Sequence, residues 1–600
     1  MALPPPEAQK RQLTRLCDLV AACLLPHLEA QTSPPRQLTR EDERRVLLAL
    51  SKLNKAIRGW NQEEEEEEQE EQRLSQSDQE NVSCSGEVHN CCLLHGQHPY
   101  DGFSCLANMV SILIGILGFC SDYVKHSTAN ILVSISSALI KFESVWIQFV
   151  ELVWVAIHAA SKCVNRALPS TTDSNSHGIT CSNTSITSFM TVLEQRGLSI
   201  SSLLQLLCSL LEQSDLEGTD GQDMYVKLVD IVPRIATSIL EQHDGPESLY
   251  QYLKHKLLMV MIRLKPYVQE DCSNIVCCLK LLRQYFHGLL YGPIWQHVAE
   301  LDNCLEGSPF LLNMAGSIES QDKSPRHLQR KAIYLFLSYS ICLSCNRNNG
   351  TLRCSCKRDD CLLGHKLQGC SDHCCCYGLS EISDWFQRCY LDMSFDSKSS
   401  TDFALSFLEL YMEEDDMLFS ILLQLLDAPL VFQKIDNIKS TELIAAKLFS
   451  SIFDPVHLFH LLLLLLHYDH MVLVDYLISK DVGVHCAQYL LRCLRLVSQS
   501  WHAFVDDSIY LTKIEKVNCK RQRTSRDVSS SSASSSKEYK NGSGCNKEAK
   551  NLQKLFLDAK VCLYSLKRTV DDLQKKGLFP YNPKPLLRSL VRFGELCEQG

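Results

Sequence analysis

The chain has 600 residues, 45% of them apolar and 22% charged, which is enough for a large folded core and too apolar for wholesale disorder. Its formal charge of −10 is modest, and eight of the negative charges fall in one run, Glu63–Glu68 with Glu70 and Glu71. Nothing global therefore points to nucleic acid or an anionic membrane as a partner.

The N-terminus, MALPPPEAQKRQLTRL, has no apolar signal core. In RQLTRLCDLVAACLLPHL, Leu13, Leu16, Leu19, Val20 and Leu24 recur at three- and four-residue steps, so residues 1–60 are predicted to be N-terminal helices. Residues 61–83, rich in Glu and Gln, read as an acidic disordered linker that solvates the chain. Residues 84–341 return to helical spacing, as a repeat-like region interrupted by a Ser/Thr/Asn-rich loop at 169–187. The longest apolar stretch, Ile131–Ala160, carries Lys141, Glu143 and Glu151 and reads as buried helices rather than a membrane span. Residues 342–378 form a Cys-rich insertion, and the helical pattern resumes over 379–512. A basic, Ser-rich linker is predicted at 513–548, followed by a compact helical tail at 549–600.

Strand signals are scarce, and no Asn-Gly or Asp-Gly turn sits between alternating apolar and polar residues. The fold class is therefore all-α. Helices with short polar breaks suit an irregular armadillo- or HEAT-like α-solenoid, with the Cys-rich insertion within it and a helical hairpin at its C-terminal end. No clean fixed-period repeat is present, so an irregular helical bundle is the competing architecture.

Thirty cysteines in a chain without a signal peptide are expected to be thiols, apart from any bound to metal. The insertion offers Cys342 with Cys345, Cys354 with Cys356, Cys361 with His365, and Cys370 with Cys374, enough ligands for two tetrahedral structural zinc sites. So little apolar content separates these ligands that a metal would supply the missing folding free energy. The alternative is a reduced Cys-rich loop. The spacing matches neither a RING nor a metalloprotease motif. A weaker cluster comprises Cys84, His89, Cys91, Cys92, His95, His98 and Cys105. His457, His460, His467 and His470 flank a run of six leucines and read as rim residues of a buried helix, satisfied by backbone or water. The basic run Lys513, Lys516, Lys520, Arg521, Arg523 and Arg526 reads either as a nuclear-import signal, centred on Lys520, Arg521, Arg523 and Arg526, or as solvated linker. It has no interleaved aromatics for base stacking. No phosphate loop, nucleophile elbow or kinase signature is present.

The tail VCLYSLKRTVDDLQKKGLFPYNPKPLLRSLVRF, residues 561–593, closely resembles the C-terminal signature of the Lines protein family. LELYMEEDDMLFSILLQLL (408–426) and the stretch 457–501, with YDHMVLVDYLIS its most specific part, resemble that family's N-terminal region. The resemblance covers about 405–505 and 560–595; the Cys-rich insertion and the glutamate run depart from the animal pattern. It implies a non-enzymatic helical scaffold or adaptor that binds protein partners. Animal members are associated with transcriptional regulation in Wingless/Wnt-type developmental signalling and reside in nucleus and cytoplasm. Direct nucleic-acid, membrane and small-molecule binding are not expected, and structural zinc is the one cofactor in view. The runner-up is a zinc-binding module with enzymatic or ligase-type activity centred on 342–376.

Within the matching stretches, Gly577 is placed to cap a helix over Val561–Lys576, and Phe579 and Tyr581 to anchor a turn stiffened by Pro580, Pro583 and Pro585. Phe579, Tyr581, Arg588 and the acidic turn Glu413, Glu414, Asp415, Asp416 are the candidate partner-binding residues, since aromatics and arginine concentrate binding energy. The competing reading is that Phe579 and Tyr581 pack the hairpin onto the last helices.

Overall fold

The three- and four-residue apolar spacing builds helices through the described residues. The computed structural model describes residues 6–29, 38–74, 102–117, 121–139, 145–153, 155–156, 247–294, 326–345, 370–391, 400–432, 440–505 and 544–599, with isolated positions between 204 and 240. Among these there is no strand, so the all-α expectation holds. The chain divides into two compact units, the first reaching Phe286 and including residues 326–331, the second taking in 287–294, 332–345 and everything described from Cys370 onward.

In the first unit, α1 (Pro6–Glu29) packs on α3 (Gly102–Leu117), and α2 (Arg40–Leu74) packs on α4 (Asp122–Leu139). The start of α2 is fixed by Thr39, whose hydroxyl donates to the Asp42 carboxylate at 2.6 Å and accepts from the Asp42 N–H at 3.2 Å. The buried stripe Val46, Leu50, Leu53 and Ile57 faces the core at helical spacing. The backbone of α2 stays helical through the glutamate run to Leu74, where a linker was expected from 61 onward. Glutamate is a strong helix former, and nothing between Trp60 and Leu74 breaks the helix that Val46–Ile57 anchors. Further on, α5 (Glu247–Val268) packs against α6 (Cys272–Tyr285), which starts where Asp271 accepts from the Ser273 N–H at 2.9 Å.

The second unit begins with α7 (His287–Leu290) and the described part of α8 (Arg326–Cys345) from Ala332 onward. It continues through α9 (Cys370–Phe386), which runs into a π-helical turn, Gln387–Leu391. That turn lets the Trp385 indole and the Cys389 thiol donate to the Leu290 carbonyl oxygen, at 3.0 and 3.4 Å. Then come α10 (Ser400–Tyr411), α11 (Asp415–Phe432), α12 (Ser440–Ile452), α13 (Pro455–Leu465), α14 (His470–Ile478), α15 (Gly483–Gln499), α16 (Gly544–Lys575) and α17 (Lys584–Gln599). Some helices pack on their neighbours in sequence, α10 on α11, α11 on α12, α14 on α15 and α16 on α17, while α9 also packs on α12, α11 on α15, α14 on α16 and α15 on α17.

Aromatic clusters help to fill this unit, two of them prominent among the described residues. Trp385, Phe386, Phe403, Phe407, Phe449 and Phe453 form one, its rings 4.7–6.5 Å apart between centroids. In the other, Trp501 and Phe504 meet Phe556 of α16 and Phe593 of α17 at 5.6–6.3 Å. The window Ala446–Leu465 is long and apolar enough to cross a membrane by length and composition. It is two helices meeting at Asp454, whose carboxylate accepts from the Val456 and His457 N–H groups, and it buries Phe449, Phe453, Phe459 and Leu461 in the core.

Candidate partner surface at the C-terminal hairpin

Helix α16 ends at a left-handed glycine. Gly577 has φ +69°, the Gly577 N–H donates to the Gln574 carbonyl at 3.0 Å, and the Leu578 N–H donates to that of Leu573 at 2.9 Å. This is the paired reverse bonding of a Schellman cap, and glycine takes that φ without the backbone strain a side chain would bring. The chain then turns through Phe579–Pro583. Asn582 accepts from the Lys584 N–H at 3.1 Å and starts α17, where Pro585 sits in the first turn and disrupts no bond.

Tyr581 is the pin of this turn. Its hydroxyl lies 2.8 Å from two carbonyl oxygens, Leu477 at the end of α14 and Gly483 at the start of α15. One proton is shared between them, and the Leu477 oxygen is among those left open where a helix ends. Burial pushes the Tyr581 hydroxyl well above its ordinary pKa, so it remains a donor. Gly483 makes the approach workable: a Cβ there would lie 2.6 Å from the Leu477 oxygen and 3.4 Å from the Tyr581 ring. Phe579 packs edge-on to Tyr581, with ring centroids 4.9 Å apart. Both aromatics thus serve the hairpin's attachment. Arg588 is exposed on α17.

The acidic turn reaches the same neighbourhood from the other side. Asp415 and Asp416 occupy the first turn of α11, where carboxylates favour the positive end of the helix. Asp415 accepts a hydrogen bond from the Tyr476 hydroxyl; burial raises the Asp415 pKa, and this bond opposes the rise. Tyr476 directly precedes Leu477, so Asp415 and Tyr581 hold the end of α14 from two sides. Between them lies the buried Cys486, whose thiol is pushed up by burial first and by the Asp415 charge second. Glu413 and Asp416 remain exposed.

The four histidines separate. His460 is fully buried, stacks on Phe504 with centroids 4.0 Å apart, and donates from Nε2 to the Phe504 carbonyl oxygen at 2.8 Å. It lies in the core rather than at the rim expected of it, because its ring closes the gap between α13 and the helical turn at Phe504. Burial lowers its pKa to about 4, against the opposing effect of that bond. His467 sits at φ +53° in the turn after α13, with Tyr468 at +56°; the Tyr468 N–H donates to the Leu463 carbonyl at 2.9 Å. Asp469 then caps α14 by accepting from the Met471 N–H at 2.8 Å. Among the described residues no group of three or more His, Cys, Asp or Glu could hold a metal.

Of the zinc candidates, Cys342 and Cys345 end α8 and Cys370 and Cys374 begin α9. Helical backbone therefore takes in both ends of the stretch assigned to an insertion, because the apolar spacing of Leu379, Ile382, Trp385 and Phe386 sustains a helix that extends back to Cys370. Cys354, Cys356, Cys361 and His365 lie outside the described residues, as do Lys520, Arg521, Arg523 and Arg526. The same holds for the cluster at 84–98; Cys105 is buried in α3.

Sequence reasoning passed over Gly483, Leu477 and the exposed apolar residues beside Tyr581: Ile478, Val484 and Leu578, which are 42%, 53% and 64% exposed. The glycine in KDVGV was the available signal. The carbonyls it exposes carry no signal at all.

Residues 381–507 match the Lines N-terminus and residues 559–595 match the Lines C-terminus. No curated protein and no solved structure gives a match to the chain. The first match runs from α9 to Phe504 and its neighbours, the second from α16 to α17, and Tyr581 and Phe593 join the two within one compact unit. Matches to both parts of the Lines family thus occur in this chain, in order, over 164 of its 600 residues.

Proposed function

We propose that the protein is a non-enzymatic helical scaffold that binds protein partners through its exterior, in transcriptional or developmental regulation. The observation that carries this reading is the chemistry of the buried reactive groups in the Lines domains. Burial pushes the Cys493 and Cys562 thiols up to about 12, where they are protonated and inert at neutral pH. His460 is held neutral with its proton committed to a backbone carbonyl. These groups pack; they do not converge on an open cleft with a nucleophile, a base and an orienting partner. The exposed surface of the C-terminal hairpin is the place for contact with partners.

The remaining assignments stand with it. The Cys-rich stretch 342–374 takes structural zinc, and Lys520, Arg521, Arg523 and Arg526 direct nuclear import. Metal analysis of the purified chain by mass spectrometry checks the first, with zinc at fixed stoichiometry expected. Alanine substitution of the four basic residues checks the second, and an unchanged cellular distribution rejects it. The scaffold reading itself is tested by affinity purification of the full chain beside Arg588→Ala and Leu578→Ser, with melting temperature followed in parallel. A defined set of proteins recovered with the parent and reduced with the variants at unchanged stability supports it. An identical set with all three places the contact elsewhere on the chain.

A further inference from the structure

Between Asp572 and Glu595 the hairpin contains no carboxylate and five cations: Lys575, Lys576, Lys584, Arg588 and Arg592. Over the matched residues 559–595, eight Lys and Arg stand against three Asp and Glu, a local charge of +5 in a chain whose total is −10. Two of the five are already paired, Lys575 with Asp571 at 2.5 Å and Arg592 with Glu595 at 3.1 Å. Lys576, Lys584 and Arg588 are exposed and enter no ion pair among the described residues. Lys584, Arg588 and Arg592 recur every four residues on α17 and so share one face, opposite the buried Leu586, Leu590 and Phe593.

Apolar groups accompany this charge. Leu578 is 64% exposed directly beside the Gly577 cap. Ile478 and Val484 follow, in sequence, the two residues whose carbonyls hold Tyr581, so they border the same turn. A cationic face on a hairpin that also exposes Leu578 is complementary to a segment that offers carboxylates and an aliphatic or aromatic anchor together. Nucleic acid fits less well. Phe579 packs edge-on to Tyr581, and Tyr581 sits against Gly483 of the α14–α15 connection, so both rings are engaged within the fold rather than set out for base stacking. Resting on the scaffold reading above, we propose that the outward face of the hairpin, Lys584 and Arg588 beside Leu578, docks an acidic protein segment bearing one or two large apolar side chains.

The test uses the full chain, immobilised, and a displayed library of random dodecapeptides. Selected peptides are expected to be enriched in Asp and Glu with a Leu, Ile or Phe among them. Labelled copies should lose affinity by about tenfold on the double change Lys584→Glu with Arg588→Glu, as steering and pairing are both reversed. They should also bind more weakly to Leu578→Ser and at raised salt. Lys584→Gln with Arg588→Gln gives the same direction with a smaller loss, and covers the case in which charge reversal disturbs α17. A 20-nucleotide random DNA and phosphatidylserine vesicles are the comparison probes. Tighter binding of either one through the same residues overturns the proposal. So do selected peptides that lack acidic enrichment or are indifferent to all three positions, an outcome that leaves the scaffold reading intact. If no peptide binds the chain saturably at any surface, the scaffold reading loses its support as well.

Discussion

At the start of α11 one carboxylate of the acidic turn, that of Asp415, is drawn into the fold while Glu413 and Asp416 stay exposed. Asp415 takes the Tyr476 hydroxyl, its charge is partly desolvated, and Asp416 beside it serves the helix end. At the hairpin tip the arrangement is reversed: one hydroxyl, that of Tyr581, is spent inward on two backbone carbonyls, while Lys576, Leu578, Lys584 and Arg588 face solvent. Both stretches hold a short turn in place by one tyrosine–oxygen contact. They differ in what remains outside. At α11 the exposed remainder is acidic, Glu413 and Asp416; at the hairpin it is cationic, with an exposed leucine beside the glycine cap.

The sharpest way to break the comparison is to remove the hairpin's apolar footing. Phe593→Ala deletes a fully buried ring that meets both Trp501 and Phe504, and should cost about 3–5 kcal/mol, read by denaturant unfolding. Next comes pH. His460 has its folded pKa lowered to about 4 from an ordinary 6.5, so the unfolded chain takes up a proton across that interval and the folded chain does not. Stability is complete above pH 6.5 and falls toward pH 4, by up to about 3 kcal/mol from this group. His460→Gln, which keeps a donor for the Phe504 carbonyl, should flatten that slope in melts at pH 7 and pH 5. A stability unchanged between those two pH values in the parent chain would falsify the assignment.

Tyr581→Phe tests the pin alone. It leaves the ring and deletes the shared proton, so a loss of about 1–2 kcal/mol is expected by thermal melting, with peptide binding at Lys584 and Arg588 retained. The smallest effect falls on the other region. Because folding raises the Asp415 pKa, ionised Asp415 is slightly disfavoured, and its contribution improves as pH falls rather than rises. Asp415→Asn keeps an acceptor for Tyr476 and should shift stability by no more than about 0.5 kcal/mol. A loss several times larger would mean that the charge itself, and not the hydrogen bond, holds α14.

Much of the fold was readable from residue types. The spacing of Leu, Val and Phe announces helices, and Gly577 announces the end of α16, because those signals come from local geometry that each residue imposes on its own turn. The attachment of the hairpin was half readable: Phe579 and Tyr581 stood out, but whether they faced inward depended on Leu477 and Gly483, about 100 residues away and present as backbone atoms only. The glutamate run misled for a related reason. Its composition speaks of solvation, while its helix propensity and the anchored stripe before it carry α2 on to Leu74. His460 misled because a histidine beside six leucines looks like a boundary residue, whereas a single carbonyl suffices to keep it inside.

The shared proton of Tyr581 and the seating of Phe556 and Phe593 on Trp501 have a consequence for where the protein can be cut. The two Lines domains are separate in sequence yet melt as one cooperative body if those contacts hold. A product that stops short of Phe556 would lack Phe556, Tyr581 and Phe593, and so the contacts they make to Trp501, Phe504 and the oxygen of Leu477. Such a fragment should be less stable than the full chain, so any loss of function on truncation has to be separated from loss of fold before a lost partnership is considered.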